Sequence, residues 1–342
     1  MRRPKVVSMI AACLVALLVM PASASTATRT HRARHALRYI VRHQAQDGSI
    51  AAFSPLGSTA DAVLAMVAAK RGPLQERRAL RYLKRHLADA TSIGLKAKVV
   101  MAAVAAGRDP RRFGNRNLVN AIKTSQRRNG HYGKGTSVID QALAMLALTA
   151  AKVQPGHRAA TWLADAQCPD GGWQFDAPYD PSTDSRHCHN RAGSDFTRSD
   201  TNTTSYAVQA LDALTTPVHP ARSPFAYLRW VRDPIKHGWG YDQKTNLTDA
   251  NSTALVLQAY AAAGRHHPRH AMRALTKLQY PACSGHFPFA FAFSWTKSRS
   301  GGLKRTGPDV GATIGAVLGL LKQPLPVPSK PLSKPIPKRA TC

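Results

Sequence analysis

Two acidic residues stand at matched places in this 342-residue chain, each followed by an amide and hydroxyls: Asp200-Thr-Asn202-Thr-Thr and Asp249-Ala-Asn251-Ser-Thr. A glycine-aromatic turn precedes each one. These turns are Gly172-Trp173-Gln174-Phe175-Asp176 and Gly238-Trp239-Gly240-Tyr241-Asp242. Two carboxyl groups flanking a glycosidic bond can act as acid and base. Asp176 or Asp242 with Asp200 or Asp249 are the pairs available for that chemistry. The same residue types also cap helix N-termini, at about 1 kcal/mol each. Caps gathered on one rim would turn several helix dipoles toward an anionic ligand group. Asp200, Asn202, Asp249 and Asn251 are therefore candidate ligand contacts.

A long polar loop follows the first turn. It carries Asp176, Asp180 and Asp184, with Asp170 and Asp195 nearby, which are hard oxygen ligands of the kind calcium takes. It also carries His187-Cys188-His189, a zinc-like group. The spacing fits neither an EF-hand loop nor a Cys-x-x-Cys zinc site, so no cofactor is expected. Trp173 and Trp239 fit a packing role between helices, and with Tyr241 they are also candidate contacts for a ligand. Near the C-terminus His286–Trp295 reads HFPFAFAFSW, an alternation of period two that is typical of a strand. Its Phe289 and Phe291 would form an apolar wall or lid for a hydrophobic ligand.

Helices of two kinds must position these residues. Arg-rich amphipathic patterns cover Arg32–Gln44, Leu74–Leu87, Asn115–Gln126, His157–Gln167, Ala221–Arg232 and His267–Gln279. Ala-rich patterns, apolar nearly all round, cover Ser58–Ala69, Leu95–Ala106, Ser137–Ala151, Thr203–Leu214, Ser252–Ala263 and Val310–Leu321. A helix apolar on every side must be buried, and a one-faced helix lies outside it. A period of about 40 residues suits helix-pair repeats. Six pairs predict an all-α protein, an (α/α)6 toroid with an inner and an outer ring over residues 25–322. The Gly- and Asp-bearing loops from outer to inner helix should share one rim. From Gln323 the Pro/Lys-rich tail, residues 323–342, reads as extended and disordered.

The run Gln167-x-x-Asp170-Gly-Gly-Trp173 has degenerate copies at Gln44–Ile50 and Gln126–Tyr132. It resembles the QW repeat of the squalene-cyclase and prenyltransferase superfamily, over about residues 31–321. That resemblance implies a toroid, an architecture shared by terpene cyclases, prenyltransferase β-subunits, cobalamin carriers and complement thioester domains. Class II cyclases protonate a polyene with the middle Asp of an Asp-x-Asp-Asp-Thr-Ala motif. The matching positions here hold Asn202 and Asn251, and an amide cannot protonate an alkene. Prenyltransferase zinc ligands have a loose analogue in Asp195 or Asp200 with Cys188 and His187 or His189, at different spacing. No thioester motif Gly-Cys-Gly-Glu-Gln is present. The resemblance therefore implies a non-catalytic binding protein with an apolar or amphipathic ligand in its cavity. The alternative is a terpenoid- or lipid-modifying enzyme.

The first 24 residues read as a secretory signal: Arg2, Arg3 and Lys5, an apolar run Val6–Met20, and Ala22-Ser23-Ala24 as a cleavage site. No later segment approaches the ~20 continuous apolar residues of a membrane span. Export to an oxidising compartment favours disulfides among Cys168, Cys188, Cys283 and Cys342, with Cys168–Cys188 stapling the long loop and Cys283–Cys342 tying down the tail. Lys and Arg number 48 against 18 acidic residues, a formal charge of +30. Such a field attracts polyanions, which in an exported protein suggests envelope polymers and association with the cell wall. Nucleic acid is not expected, since no recognition motif is present.

Overall fold

The computed structural model describes residues 20–176, 188, 198–285 and 287–338. Among them twelve α-helices alternate between two rings. The outer ones are α1 (Met20–Arg42), α3 (Pro73–Arg85), α5 (Leu118–Lys123), α7 (His157–Asp165), α9 (Pro224–Trp230) and α11 (Ala271–Lys277). The inner ones are α2 (Pro55–Ala69), α4 (Ile93–Ala105), α6 (Val138–Ala150), α8 (Thr201–Asp212), α10 (Ala250–Ala262) and α12 (Val310–Leu321). Each inner helix packs on the next, and α12 returns to α2, so the ring closes. This is the expected (α/α)6 toroid, with the outer helices seated between neighbouring inner ones.

The inner helices start where their sequence supplies a cap. Ser54, Ser92, Ser137, Asp200, Asp249 and Asp309 each precede one, and each side chain accepts a hydrogen bond from a first-turn backbone N–H. This satisfies amides that would otherwise be orphaned at the buried end of a helix. Ala at the helix–helix contacts lets the axes approach. On α12 Gly319 goes further, since a Cβ there would meet Ala254 of α10 at 2.7 Å.

The QW turn stitches outer to inner helices. Trp173 and Trp239 are fully buried and donate their indole N–H to the Leu163 and Leu228 carbonyls of their own outer helices. Their backbone N–H groups reach forward to the hydroxyls of Thr204 and Thr253, at 2.9 and 3.0 Å. The same bond runs from Ile50 to Thr59, from Tyr132 to the Gln141 amide oxygen, and from Phe291 to Thr313. The repeat glutamine reaches sideways: Gln44 and Gln167 donate to the Gln75 and Arg222 carbonyls of the next pair. At Gly130 φ is +99°, and a Cβ would run into the Arg158 carbonyl, so the turn admits only glycine.

Short strands complete the loop-bearing rim. β1 (Trp173–Gln174) pairs antiparallel with β2 (Ser199–Asp200). β3 (Phe291–Ala292) pairs with β6 (Pro308–Asp309), and β4 (Trp295–Lys297) with β5 (Leu303–Arg305). Of the period-two aromatic run only Phe291–Ala292 and Trp295 are strand; residues 288–289 form a turn with Phe289 at φ +61°, the irregularity that Pro288 favours. Cys168 and Cys188 form the expected disulfide, Cα–Cα 5.5 Å. Cys283 is disulfide-bonded as well; its expected partner Cys342 lies outside the described residues.

The tail corrects an expectation. Residues 323–338 are packed across the opposite rim rather than disordered. Leu325 and Val327 are buried, Leu325 N–H donates to Gln209 Oε1 on α8, and Gly72 N–H after α2 donates to the Lys334 carbonyl. The Arg38 guanidinium of α1 binds the Pro337 carbonyl. Apolar residues spaced among the prolines, Leu325, Val327, Leu332 and Ile336, supply the buried area that a fully polar tail would lack.

Candidate functional site

A cavity of about 340 Å³ follows the axis of the ring. Its mouth lies on the cap-bearing rim, among Phe53, Tyr241, Asp249 and Phe293 from three of the outer-to-inner loops. Its wall carries Asp61 of α2, Lys98 of α4, Asn202 and Tyr206 of α8, and Asn251 of α10. Its far end is formed by Gln258, Leu318 and Leu325. Asp249 and Gln258 are nine residues apart on one helix, which at 1.5 Å per residue makes the cavity about 13 Å deep.

Two carboxyl groups face this space in different electrostatic settings. Burial pushes Asp249 up to about 7, even though the Ser252 N–H and hydroxyl bind its oxygens at 2.7 and 2.8 Å. Near neutral pH it therefore holds a proton it can release. Asp61 is ion-paired to Lys98 at 2.6 Å. Burial disfavours the Lys98 charge, but Asp61 and Tyr206 outweigh it and the ammonium is held above its ordinary range. Burial also raises the Tyr206 phenol, which stays neutral.

Two amide oxygens of wall residues lack a hydrogen-bond donor and are shut off from the cavity's open space. Asn202 Oδ1 and Gln258 Oε1 are buried and accept no hydrogen bond. Gln258 Nε2 donates to the Ala254 carbonyl at 3.1 Å, which fixes the amide with its oxygen free. The equivalent residue one repeat earlier, Gln209, makes the same bond to Ser205, and its oxygen accepts from the tail at Leu325. A buried acceptor without a donor costs roughly 1–3 kcal/mol, and a ligand hydroxyl would recover it once the amide turns toward the cavity.

The residues expected from sequence divide between the cavity and the packing around it. Asn202, Tyr241, Asp249 and Asn251 line the cavity. Asp200 is sealed behind it as the α8 cap; Thr203 binds both its oxygens, and burial pushes it up to about 7. Trp173, Trp239 and Phe291 are fully buried in the QW stitching, and Phe289 packs on His31 and His35 of α1. The aromatics at the mouth are instead Phe53 and Phe293, 82% and 42% exposed. Asp242 binds the Arg198 guanidinium at 2.7 Å and caps Thr245, so it is a structural carboxylate. The proposed metal ligands Asp180, Asp184, His187, His189 and Asp195 lie outside the described residues. Among the described residues no cluster of three metal-ligating side chains occurs.

Asp61, Lys98 and Gln258 were not singled out by motif. A partial signal for them exists all the same: each is a polar residue set in a largely apolar inner helix, a signal shared by Gln141 and Gln209, which serve the stitching and the tail instead.

No family model and no curated protein matches the chain. Solved structures do. It is similar to D-mannose isomerase, with 12% identity over 86% of this chain and 97% of that one, TM-score 0.56. It is similar to unsaturated glucuronyl hydrolase from Streptococcus agalactiae, with 10% identity over 87% and 90%, TM-score 0.50. A third is an inactive variant of the α-1,6-mannanase of Salegentibacter in complex with α-1,6-mannotetrose, with 10% identity over 86% and 98%, TM-score 0.50. Likeness at this level shows the ring. It also corrects the expectation of a non-catalytic binding protein, because these rings belong to enzymes. The amides at 202 and 251 had argued against an acid in the cavity, yet Asp249, two positions earlier, puts one there.

Proposed function

We propose that the central cavity is the active site of a carbohydrate-active enzyme that performs acid–base chemistry on a sugar unit. Asp249 is the proton donor, Asp61 the carboxyl group paired with Lys98, and Asn202 and Gln258 accept sugar hydroxyls. The observation that carries this is a protonatable Asp249 lining one cavity with the Asp61–Lys98 ion pair, with donorless amide oxygens at Asn202 and Gln258 in its wall. With the two amides turned toward the cavity, a ligand rich in hydroxyl donors satisfies Asn202 Oδ1 and Gln258 Oε1, and a hydrocarbon cannot. The mannanase, glucuronyl hydrolase and mannose isomerase named above agree with a carbohydrate substrate.

A second reading rests on the apolar part of the wall, Leu64, Ile139, Leu255, Ile314 and Leu318 with the two mouth phenylalanines. With the QW repeat, it favours a terpenoid or prenyl substrate protonated by Asp249. Turnover by the full chain on mannosides, unsaturated uronides, free aldoses and prenyl diphosphates, followed by mass spectrometry, separates the two. The carbohydrate reading expects a saccharide product, with Asp249→Asn lowering the rate about 10²–10⁴-fold. Turnover confined to prenyl substrates, or a saccharide rate unchanged in Asp249→Asn, overturns it.

We further propose that residues 1–24 are an export signal and that the mature chain begins at Ser25, inside the first turns of α1. Export fits the Cys168–Cys188 disulfide, and among the described residues no helix is long and apolar enough to cross a membrane. N-terminal sequencing of the secreted protein tests this: a start at Ser25 is expected, and an intact Met1 in the mature protein contradicts it.

A further inference from the structure

Resting on that reading, we infer that the C-terminal strap makes the cavity blind, so that the enzyme acts on small sugars or on chain ends and not on the interior of a polymer. A six-membered helical ring has two open ends unless something fills one. Here the cap-bearing end is open, and the other is closed by residues 323–338.

The closure is built from named contacts. Leu325 ends the cavity and is 7% exposed, while Val327 behind it is 2% exposed. Leu325 N–H satisfies Gln209 Oε1 at 2.9 Å, which ties the strap to α8. Farther along, Ser329 lies over Gly107 at the end of α4, and Ile336 lies over Gly72 beyond α2, where a Cβ would stand 3.0 Å from it. The bonds from Gly72 to Lys334 and from Arg38 to Pro337 fix the far end of the strap. The strap therefore spans the rim from α8 past α4 and α2 to α1. A chain of sugars entering at Phe53 and Phe293 meets Leu325 and cannot pass through.

The comparison of Gln209 with Gln258 shows what the strap leaves for the substrate. Both follow their cap aspartate by nine residues and sit at the same depth on adjacent inner helices. The strap satisfies one amide oxygen and leaves the other without a donor at the cavity's closed end. Turned toward the cavity, Gln258 Oε1 would receive the hydroxyl of the innermost sugar, the terminal one.

Two measurements on the full chain test this. Amide hydrogen exchange reads the strap without any ligand. The Leu325 and Gly72 amides are expected to exchange slowly, and exchange of both at random-coil rates would show that the floor is open. Calorimetric titration with linear gluco- and manno-oligosaccharides of increasing length, against α-cyclodextrin as a ring without ends, reads the substrate class. Affinity should level off after the first few units, and linear chains should bind at least about tenfold better than the cyclic one. Affinity that keeps rising with length, or equal binding of the cyclic sugar, overturns the inference even with a protected strap. In Leu325→Ala the plateau should move to a longer oligosaccharide, and an unmoved plateau counts against Leu325 as the floor. If no saccharide binds and only prenyl substrates are turned over, the carbohydrate reading fails, and with it the chain-end substrate; the exchange data still decide whether the ring is closed.

Discussion

Asp200 and Asp249 share a sequence motif and a buried capping geometry, yet only one reaches the cavity. Both are pushed up to about 7 by burial, from an ordinary value of 3.8. For a carboxyl raised by folding, the native state binds the proton more tightly than the unfolded chain does. Stability therefore falls as pH rises between about 4 and about 7 and levels off above, opposite in sign to a salt-bridged carboxylate. Asp200→Asn keeps a good cap and removes this ionisation. Its stability relative to wild type, from urea unfolding, should improve steadily across that interval, and a difference that is flat with pH would contradict the assignment. For turnover, Asp249 must be protonated, so kcat/KM should fall as pH rises through about 7. The motif made Asp200, Asn202, Asp249 and Asn251 legible. It could not rank them, because a cap and a cavity acid have the same sequence signature and differ only in which side of the helix end the carboxyl faces. Asp61 and Lys98 carry no motif, and only the ring brings them into one cavity with Asp249.

At the scale of elements the reading was most complete, because two hydrophobic periodicities alternate along the chain and each forces its own layer. The stitching between layers accounts for the QW spacing. Glutamine reaches the next pair, glycine lets the backbone pass a carbonyl, and the aromatic residue plugs its own helix while its N–H binds a hydroxyl four residues past the following cap. Thr253→Val keeps the shape and removes the acceptor of the Trp239 N–H. Leaving that buried donor unpaired is expected to cost about 1–3 kcal/mol, and Trp239→Ala about 3–5 kcal/mol, both measured by urea unfolding. A neutral Thr253→Val would show that the stitch contributes only packing. The tail was misread at this scale. Its composition is that of a linker, and periodicity has no purchase on a segment whose few apolar residues bind a surface assembled by four distant helices.

For the whole molecule, the ring follows from sequence and the chemistry does not, since one architecture hosts many reactions and function lies in the residues grafted onto it. The loss of one acid at a resemblance-derived position implied a binding protein, and the closed ring revealed another acid on the same wall. The formal charge of +30 gives the molecule a field that attracts anions, an effect that salt weakens. The central claim is that the cavity holds a sugar by its hydroxyls against Asn202 and Gln258, with Asp249 at the reacting bond. The most direct test is the crystal structure of Asp249→Asn soaked with the saccharide that wild type turns over best. The account requires a sugar in the axial cavity, hydroxyls within hydrogen-bond distance of Asn202 Oδ1 and Gln258 Oε1, and its innermost unit resting on Leu325. A sugar found on the basic outer face with the cavity empty would contradict it.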